Sequence, residues 1–387
     1  MHFALSDELA MLREAARKFA QEKIAPFADK WDAEHYFPYH EAVLPMAELG
    51  FFGTVIPEEY GGNAMGWLAT MILSEEIARA SSGLRVQVNL QELGCAHAIL
   101  RHGTDRAKER YIPKLVSAQW LGGFAITEPN AGSDVMAISS VAVDKGDHFE
   151  LSGAKTWISN APVADCVVFY AYTDRAAGSK GLSAFVVDLK DNPAVRVSTL
   201  DKLGSHCSPT GEIVLDGARV PRENLLGRPG DGAKIVFGSL NQTRLQAAAG
   251  GVGLAQACLD QAVAYANSRE QFGRPIAQNQ MIQDQIARMA TEVECARLLV
   301  YRAAWQKDQG RLDNGREVAM AKYKAGEVAA MCAEQAMRIL GAYGYSTEYP
   351  VARYHRDAPT YYMVEGSANI CKWIVALDEL GLRKAGR

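Results

Sequence analysis

"HFELSGAKTWISNAPVADCVVFYAYTD", residues 148–174, sets the middle of the chain apart from the helical sequence on either side of it. β-Branched and aromatic residues fill two short runs, and Gly, Asn, Pro and Asp punctuate them, which reads as strand, turn, strand. "GLSAFVVDL" (181–189) and "GEIVLDGARV" (211–220) continue the texture. Such runs predict a small antiparallel barrel or sandwich over residues 122–228.

On either side the apolar spacing is helical. Leu9, Leu12, Ala16 and Phe19 share one stripe, with Asp7 and Glu8 favouring the helix N-terminus. "WLATMILSEEIARA" (67–80) and "DRAKERYIPKLV" (105–116) read as further amphipathic helices. Beyond residue 229, Ile282, Ile286, Met289, Val293, Ala296 and Val300 repeat at helical intervals, and Val318, Ala321, Ala325, Val328 and Cys332 do so again. Long helices joined by short breaks predict a four-helix bundle. The predicted fold is α+β, mainly α: a helical domain over 1–121, a β domain over 122–228 and a helical bundle over 229–387.

Composition excludes several classes. With a net charge of −4 the 387-residue chain has no polycationic surface for nucleic acid. Its seven cysteines are scattered without a C-x-x-C pair, so neither a zinc site nor a disulfide framework is expected. They read as reduced, mostly buried thiols. The uncharged run Leu245 to Leu259, which no other run exceeds, is too short to span a bilayer. Asp7 and Glu8 interrupt any apolar signal core, and a cytoplasmic protein is expected.

"TYYMVEGSANI" (360–370) carries a lone acid, Glu365, after aromatic and aliphatic residues. Apolar surroundings raise a carboxyl pKa, a setting in which general bases are found. The plainer reading is a helix-start acid held by backbone N–H groups. "FAITEPNAGSD" (124–134) offers hydroxyls and uncrowded backbone N–H groups, and Trp157 in "GAKTWISNA" (153–161) is either an aromatic wall for a planar cofactor or a core residue. Arg269 and Arg274 in "SREQFGRPIAQNQ" (268–280) are suited to a pyrophosphate or to a solvated helix end. No Walker A and no strand-associated G-x-G-x-x-G is present.

In combination, "TEPNAGSD", "KTWISN", "REQFGRPI", "ILGAYGYSTEYPVARYHRD" (339–357) and "VEGSANI" strongly resemble the acyl-CoA dehydrogenase family, over nearly the whole chain. The resemblance implies FAD, a homotetramer, a CoA thioester substrate and an electron-transferring flavoprotein as acceptor. It places Glu365 at the position of the catalytic base, which takes a proton alpha to the thioester carbonyl while hydride leaves the beta carbon for the flavin. Phe124, Ile126, Thr127, Gly132 and Ser133 would line the flavin and the pantetheine arm, and Trp157, Ile158 and Ser159 the isoalloxazine. Arg269, Phe272 and Gln280 would reach the FAD of a neighbouring subunit, with Arg338, Gly341, Ala342, Ser367 and Asn369 completing that pocket. Arg338, Ser367 and Asn369 replace the family's commoner Gln, Thr and Gln. Arg244 in "LNQTR" resembles the arginine beside the base, while Asn241 replaces an aspartate common there. Gly366 and Asn89 join the substrate side. No metal is implied.

The acyl group is read from "ARASSGLRVQVNLQ" (78–91). An arginine facing an apolar pocket is costly unless it meets an anion. Arg85 therefore either pairs with Glu75 or Glu76 or binds an anionic substrate. "SGLR" looks like the "SGYR" of the glutaryl-CoA dehydrogenases within the family, whose arginine binds the distal carboxylate. Their glutamate seven residues earlier is Ala78 here, and the tyrosine before their catalytic glutamate is Val364. Without those competitors the resemblance implies a non-decarboxylating enzyme that releases glutaconyl-CoA. A decarboxylating enzyme with a relay through Asn89 or Gln91, a benzylsuccinyl-CoA type and a non-catalytic acyl-CoA-binding flavoprotein are the alternatives.

Overall fold

The computed structural model describes residues 4–382. The N-terminal region consists of helices α1 (Asp7–Phe19), α2 (Ala28–Ala33), α3 (Leu44–Glu48), α4 (Trp67–Ala80), α5 (Ser82–Val88), α6 (His97–His102) and α7 (Asp105–Val116). Ser6 and Thr104 cap α1 and α7, each accepting a backbone N–H through its hydroxyl. Between α5 and α6 the chain winds as a π-helix over Asn89–Ala96, a wide turn of the kind often found at functional sites.

The middle region forms one eight-stranded sheet, ordered β6-β7-β3-β2-β4-β5-β8 with β1 beside β4. Its strands are β1 (Gly122–Ala125), β2 (Val141–Asp144), β3 (His148–Ser159), β4 (Cys166–Tyr172), β5 (Leu182–Asp188), β6 (Val195–Thr199), β7 (Thr210–Pro221) and β8 (Leu225–Leu226). The antiparallel expectation needs one amendment. β1 pairs with β4 in parallel, and β2 touches β4 in parallel at Val141–Tyr172. β4 is buried along its whole length. One face of it joins the core that holds Phe149, Phe185 and Ile213, the other the core that holds Ile99, Tyr111 and Ile235. Burial on both faces explains why its sequence does not alternate.

The C-terminal region holds α8 (Gly232–Ser268), a two-stranded hairpin β9 (Glu270–Gln271) and β10 (Arg274–Pro275), then α9 (Gln280–Asp308), α10 (Gly315–Leu340), α11 (Val351–Asp357), α12 (Thr360–Met363) and α13 (Ala368–Glu379). Helices α8, α9 and α10 pack together, α13 lies on α10, and α4 from the N-terminal region seats against α8 and α9. The uncharged run 245–259 is the middle of α8, and close approach is what its small residues serve. A β-carbon on Gly253 would lie 2.9 Å from Ala78 Cβ on α4, and one on Gly251 3.1 Å from a carbonyl of α10. Among the described residues, no helix is long and apolar enough to cross a membrane, and no cluster of metal-ligating side chains occurs.

Candidate active site

Glu365 lies between α12 and α13, with φ at 57°. Left-handed backbone costs a non-glycine residue roughly 1–2 kcal/mol, and such strain collects at functional sites. Three side chains from distant elements hold it there. The Thr243 hydroxyl of α8 donates to Glu365 Oε2 at 2.6 Å, and Asn89 Nδ2 of the π-helix to Oε1 at 3.4 Å. Arg244 Nε donates to the Glu365 carbonyl at 2.9 Å. Gly366 follows at φ 87°, where a β-carbon would lie 2.9 Å from Arg244 Nη2, so both conformation and space require glycine.

Two readings of this segment change. The helix-start role belongs to Ser367, whose hydroxyl accepts from Ile370 N at 3.3 Å, and not to Glu365. Nor is the carboxylate in apolar surroundings, because both its oxygens have donors. Beneath the loop lies Lys322, fully buried on α10, whose Nζ donates to the Tyr361 carbonyl at 2.6 Å and the Gly366 carbonyl at 3.5 Å. Burial pulls its pKa down to about 8, against the raising influence of Cys371 and Glu365. Sequence reasoning missed Lys322, although a lone cation on the stripe of Val318, Ala321 and Ala325 was the available signal. It also missed Thr243.

Arg85 sits on α5 and is only 3% exposed. Pairing with Glu75 or Glu76 is excluded. Glu75 accepts from Arg297 at 2.8 Å and the Tyr301 hydroxyl at 3.0 Å, while Glu76 binds Arg17 at 2.7 Å. Among the described residues no carboxylate pairs with Arg85, and its Nε is enclosed without an acceptor. Its guanidinium lies 5.5 Å from the centre of the Tyr361 ring. A buried cation left without an anion is expensive, so this position calls for an anionic group from outside the chain. Asn89 Oδ1, four residues further on at the start of the π-helix, also lacks a partner.

The other half of the site belongs to the β domain. β3 bulges between Lys155 and Ile158, and Trp157 stands at φ 60° in that bulge. Its indole is 59% exposed while Ile158 turns inward, so Trp157 is not a core residue. Thr127 and Ser159 are half-buried, Ile126 is buried and Phe124 packs edge-on against Tyr170. Gly132 and Ser133 lie exposed, with open space around Gly132. An exposed indole flanked by hydroxyls fits the planar ring and polar edge of a flavin. The loop 124–134 is locked to β3 by Glu128, which accepts from buried Lys155 at 2.8 Å and from Ser139 and Ser140. Burial pushes the Glu128 pKa up, but Lys155 and the serines outweigh it and hold it at about 2. The π-helix joins the two halves. Asn89 at its start reaches Glu365, and a β-carbon on Gly94 would meet Phe124 Cβ at 3.6 Å.

The remaining candidates lie elsewhere. Asn241 donates to the Leu312 carbonyl at 3.0 Å. Gln91 is committed to backbone groups of Leu115, Trp120 and Gly122, which removes it from any relay. Phe272, at φ 54° in the β9–β10 turn, is 100% exposed. Arg269 lies over the Tyr343 ring, Arg338 pairs with Glu334, and Gln280, Gly341, Ala342 and Asn369 are exposed. Among the described residues no hydrogen bond links any of these to Glu365.

The chain matches three family models in succession: acyl-CoA dehydrogenase N-terminal domain over residues 6–119, middle domain over 123–218 and C-terminal domain over 230–378. A glutaryl-CoA dehydrogenase of Desulfococcus multivorans is 68% identical, with full coverage of both chains. The mitochondrial 2-methylacyl-CoA dehydrogenase of Solanum tuberosum is 40% identical, over 97% of this chain and 91% of that one. A solved structure of a glutaryl-coenzyme A dehydrogenase with glutaryl-CoA superposes with a TM-score of 0.99, covering 100% of this chain and 98% of that one at 68% identity.

Proposed function

We propose that this chain, which belongs to the acyl-CoA dehydrogenase family, oxidises glutaryl-CoA to glutaconyl-CoA and leaves the distal carboxylate in place. The chain is an FAD-dependent oxidoreductase acting on a CoA thioester. The observation that carries the finer reading is Arg85, a buried guanidinium with no carboxylate of its own among the described residues. The 68% identity to a glutaryl-CoA dehydrogenase, against 40% to a branched-chain enzyme, supports the same substrate.

Glu365 takes the proton from the carbon alpha to the thioester. Thr243 and Asn89 aim its carboxylate, and Arg244 holds its backbone. The Glu365 N–H stabilises the enolate oxygen that develops on the carbonyl. Thr127, Trp157 and Ser159 would hold FAD, which would supply the acceptor for the hydride that leaves the beta carbon. Arg85 binds the distal carboxylate throughout. Loss of CO₂ would break that ion pair in a water-poor site. Ala78 and Val364 bring no charge to compete for the arginine, and Glu75 and Glu76 are engaged with other cations. Retention of the carboxylate follows.

The fully exposed Phe272 is consistent with a homotetramer in which the β9–β10 turn reaches a neighbour's FAD. An electron-transferring flavoprotein is the proposed acceptor and the cytoplasm the proposed compartment. Purified holoenzyme with a one-electron acceptor should turn over glutaryl-CoA at least about 10²-fold faster, as kcat/KM, than butyryl-CoA, which lacks the carboxylate. Equal rates would contradict the assignment of substrate.

A further inference from the structure

The geometry points to a slot, formed by Gly250 of α8 and Tyr361 of α12, that fixes the Arg85 guanidinium, making Gly250 a position that determines acyl-chain specificity. The inference rests on Arg85 being the carboxylate anchor. A β-carbon on Gly250 would lie 2.7 Å from Arg85 Nε, 3.0 Å from its Cδ and 3.0 Å from Tyr361 Cε1. The backbone of Gly250 is ordinary helix, so space and not conformation is the reason for glycine. Its neighbours in α8 serve packing: Gly251 makes room for α10 and Gly253 for α4. Gly250 makes room for a charged side chain.

Tyr361 forms the opposite wall. It is fully enclosed, and its hydroxyl donates to Ser82 Oγ at 3.1 Å, three residues before Arg85 on the same helix. Lys322 grips its carbonyl at 2.6 Å. Arginine has a large rotamer entropy, and among the described residues no ion pair holds this one. Helix backbone on one side and a fixed aromatic ring on the other hold it instead. A guanidinium aimed in advance meets the carboxylate without an ordering cost at binding, and discrimination between glutaryl and butyryl chains depends on that aim.

The test is kcat/KM of the FAD holoenzyme for glutaryl-CoA and butyryl-CoA, in the wild type, Gly250→Ala, Tyr361→Leu, Tyr361→Phe, Arg85→Met and Gly250→Ala/Arg85→Met. Gly250→Ala and Tyr361→Leu should each cut the glutaryl-to-butyryl ratio by about tenfold or more. Tyr361→Phe keeps the ring and should keep most of the ratio. In the Arg85→Met background Gly250→Ala should change the ratio no further. If Gly250→Ala does not retain FAD, Tyr361→Leu carries the same comparison. An equal fall for both substrates, or the same ratio change with and without Arg85, would overturn the slot. Should Arg85→Met alone leave the ratio unchanged, the anchor itself is wrong. A ratio lost on Arg85→Met but kept in both slot variants would sink the slot and leave the anchor standing.

Discussion

Glu365→Gln is expected to slow reduction of the bound flavin by glutaryl-CoA by about 10²- to 10⁴-fold, the usual worth of a positioned general base. Glutamine keeps the size of the side chain and a carbonyl oxygen for the Thr243 hydroxyl, so FAD content and melting temperature should stay close to wild type. The effect is large because, among the described residues, no second carboxylate is joined to this cluster. The side chains bonded to Glu365 are a hydroxyl, an amide and a guanidinium, Thr243, Asn89 and Arg244, and none of them accepts a proton near neutral pH. Stopped-flow reduction under anaerobic conditions measures this. Flavin reduction at the wild-type rate would remove Glu365 from the chemistry.

Arg85→Met should lower kcat/KM for glutaryl-CoA by about 2–5 kcal/mol, or roughly 30- to several thousand-fold. The substrate carboxylate would then enter a closed pocket without a cation. The same substitution removes an unpaired buried charge from the free enzyme, so thermal stability should hold or rise. Butyryl-CoA, which has nothing to offer the arginine, should be oxidised no more slowly than by the wild type. Parallel assays with the two thioesters read both arms. A uniform loss for both substrates would mean that Arg85 supports structure and not specificity.

What could be read directly from the chain was local. Residues 148–174 announce strands because their turn residues and β-branched runs are contiguous. The parallel pairing of β1 with β4 joins residues 122 and 166, and no local pattern reports it. Glu365 stands out as a lone acid, yet its polar surroundings are invisible locally because Thr243 and Asn89 arrive from 122 and 276 residues away. For Arg85, spacing left pairing with Glu75 or Glu76 open. Ser81, in extended conformation at φ −152°, ends α4 and starts α5 on a new course. The two acids instead face α1 and α9, where Arg17 and Arg297 wait. Trp157 could be wall or core until the bulge in β3 settled which way it pointed. Lys322 shows in the sequence only as a lone cation on an apolar stripe, and Gly250 shows nothing, because their roles exist only where α8, α10 and α12 meet.

Retention of the distal carboxylate is read by mass spectrometry of the products formed from glutaryl-CoA by the purified holoenzyme with a one-electron acceptor. Accumulating glutaconyl-CoA, without CO₂, is the predicted result. Crotonyl-CoA with one equivalent of CO₂ would keep Arg85 as an anchor but contradict the argument that Ala78 and Val364 leave it at full strength.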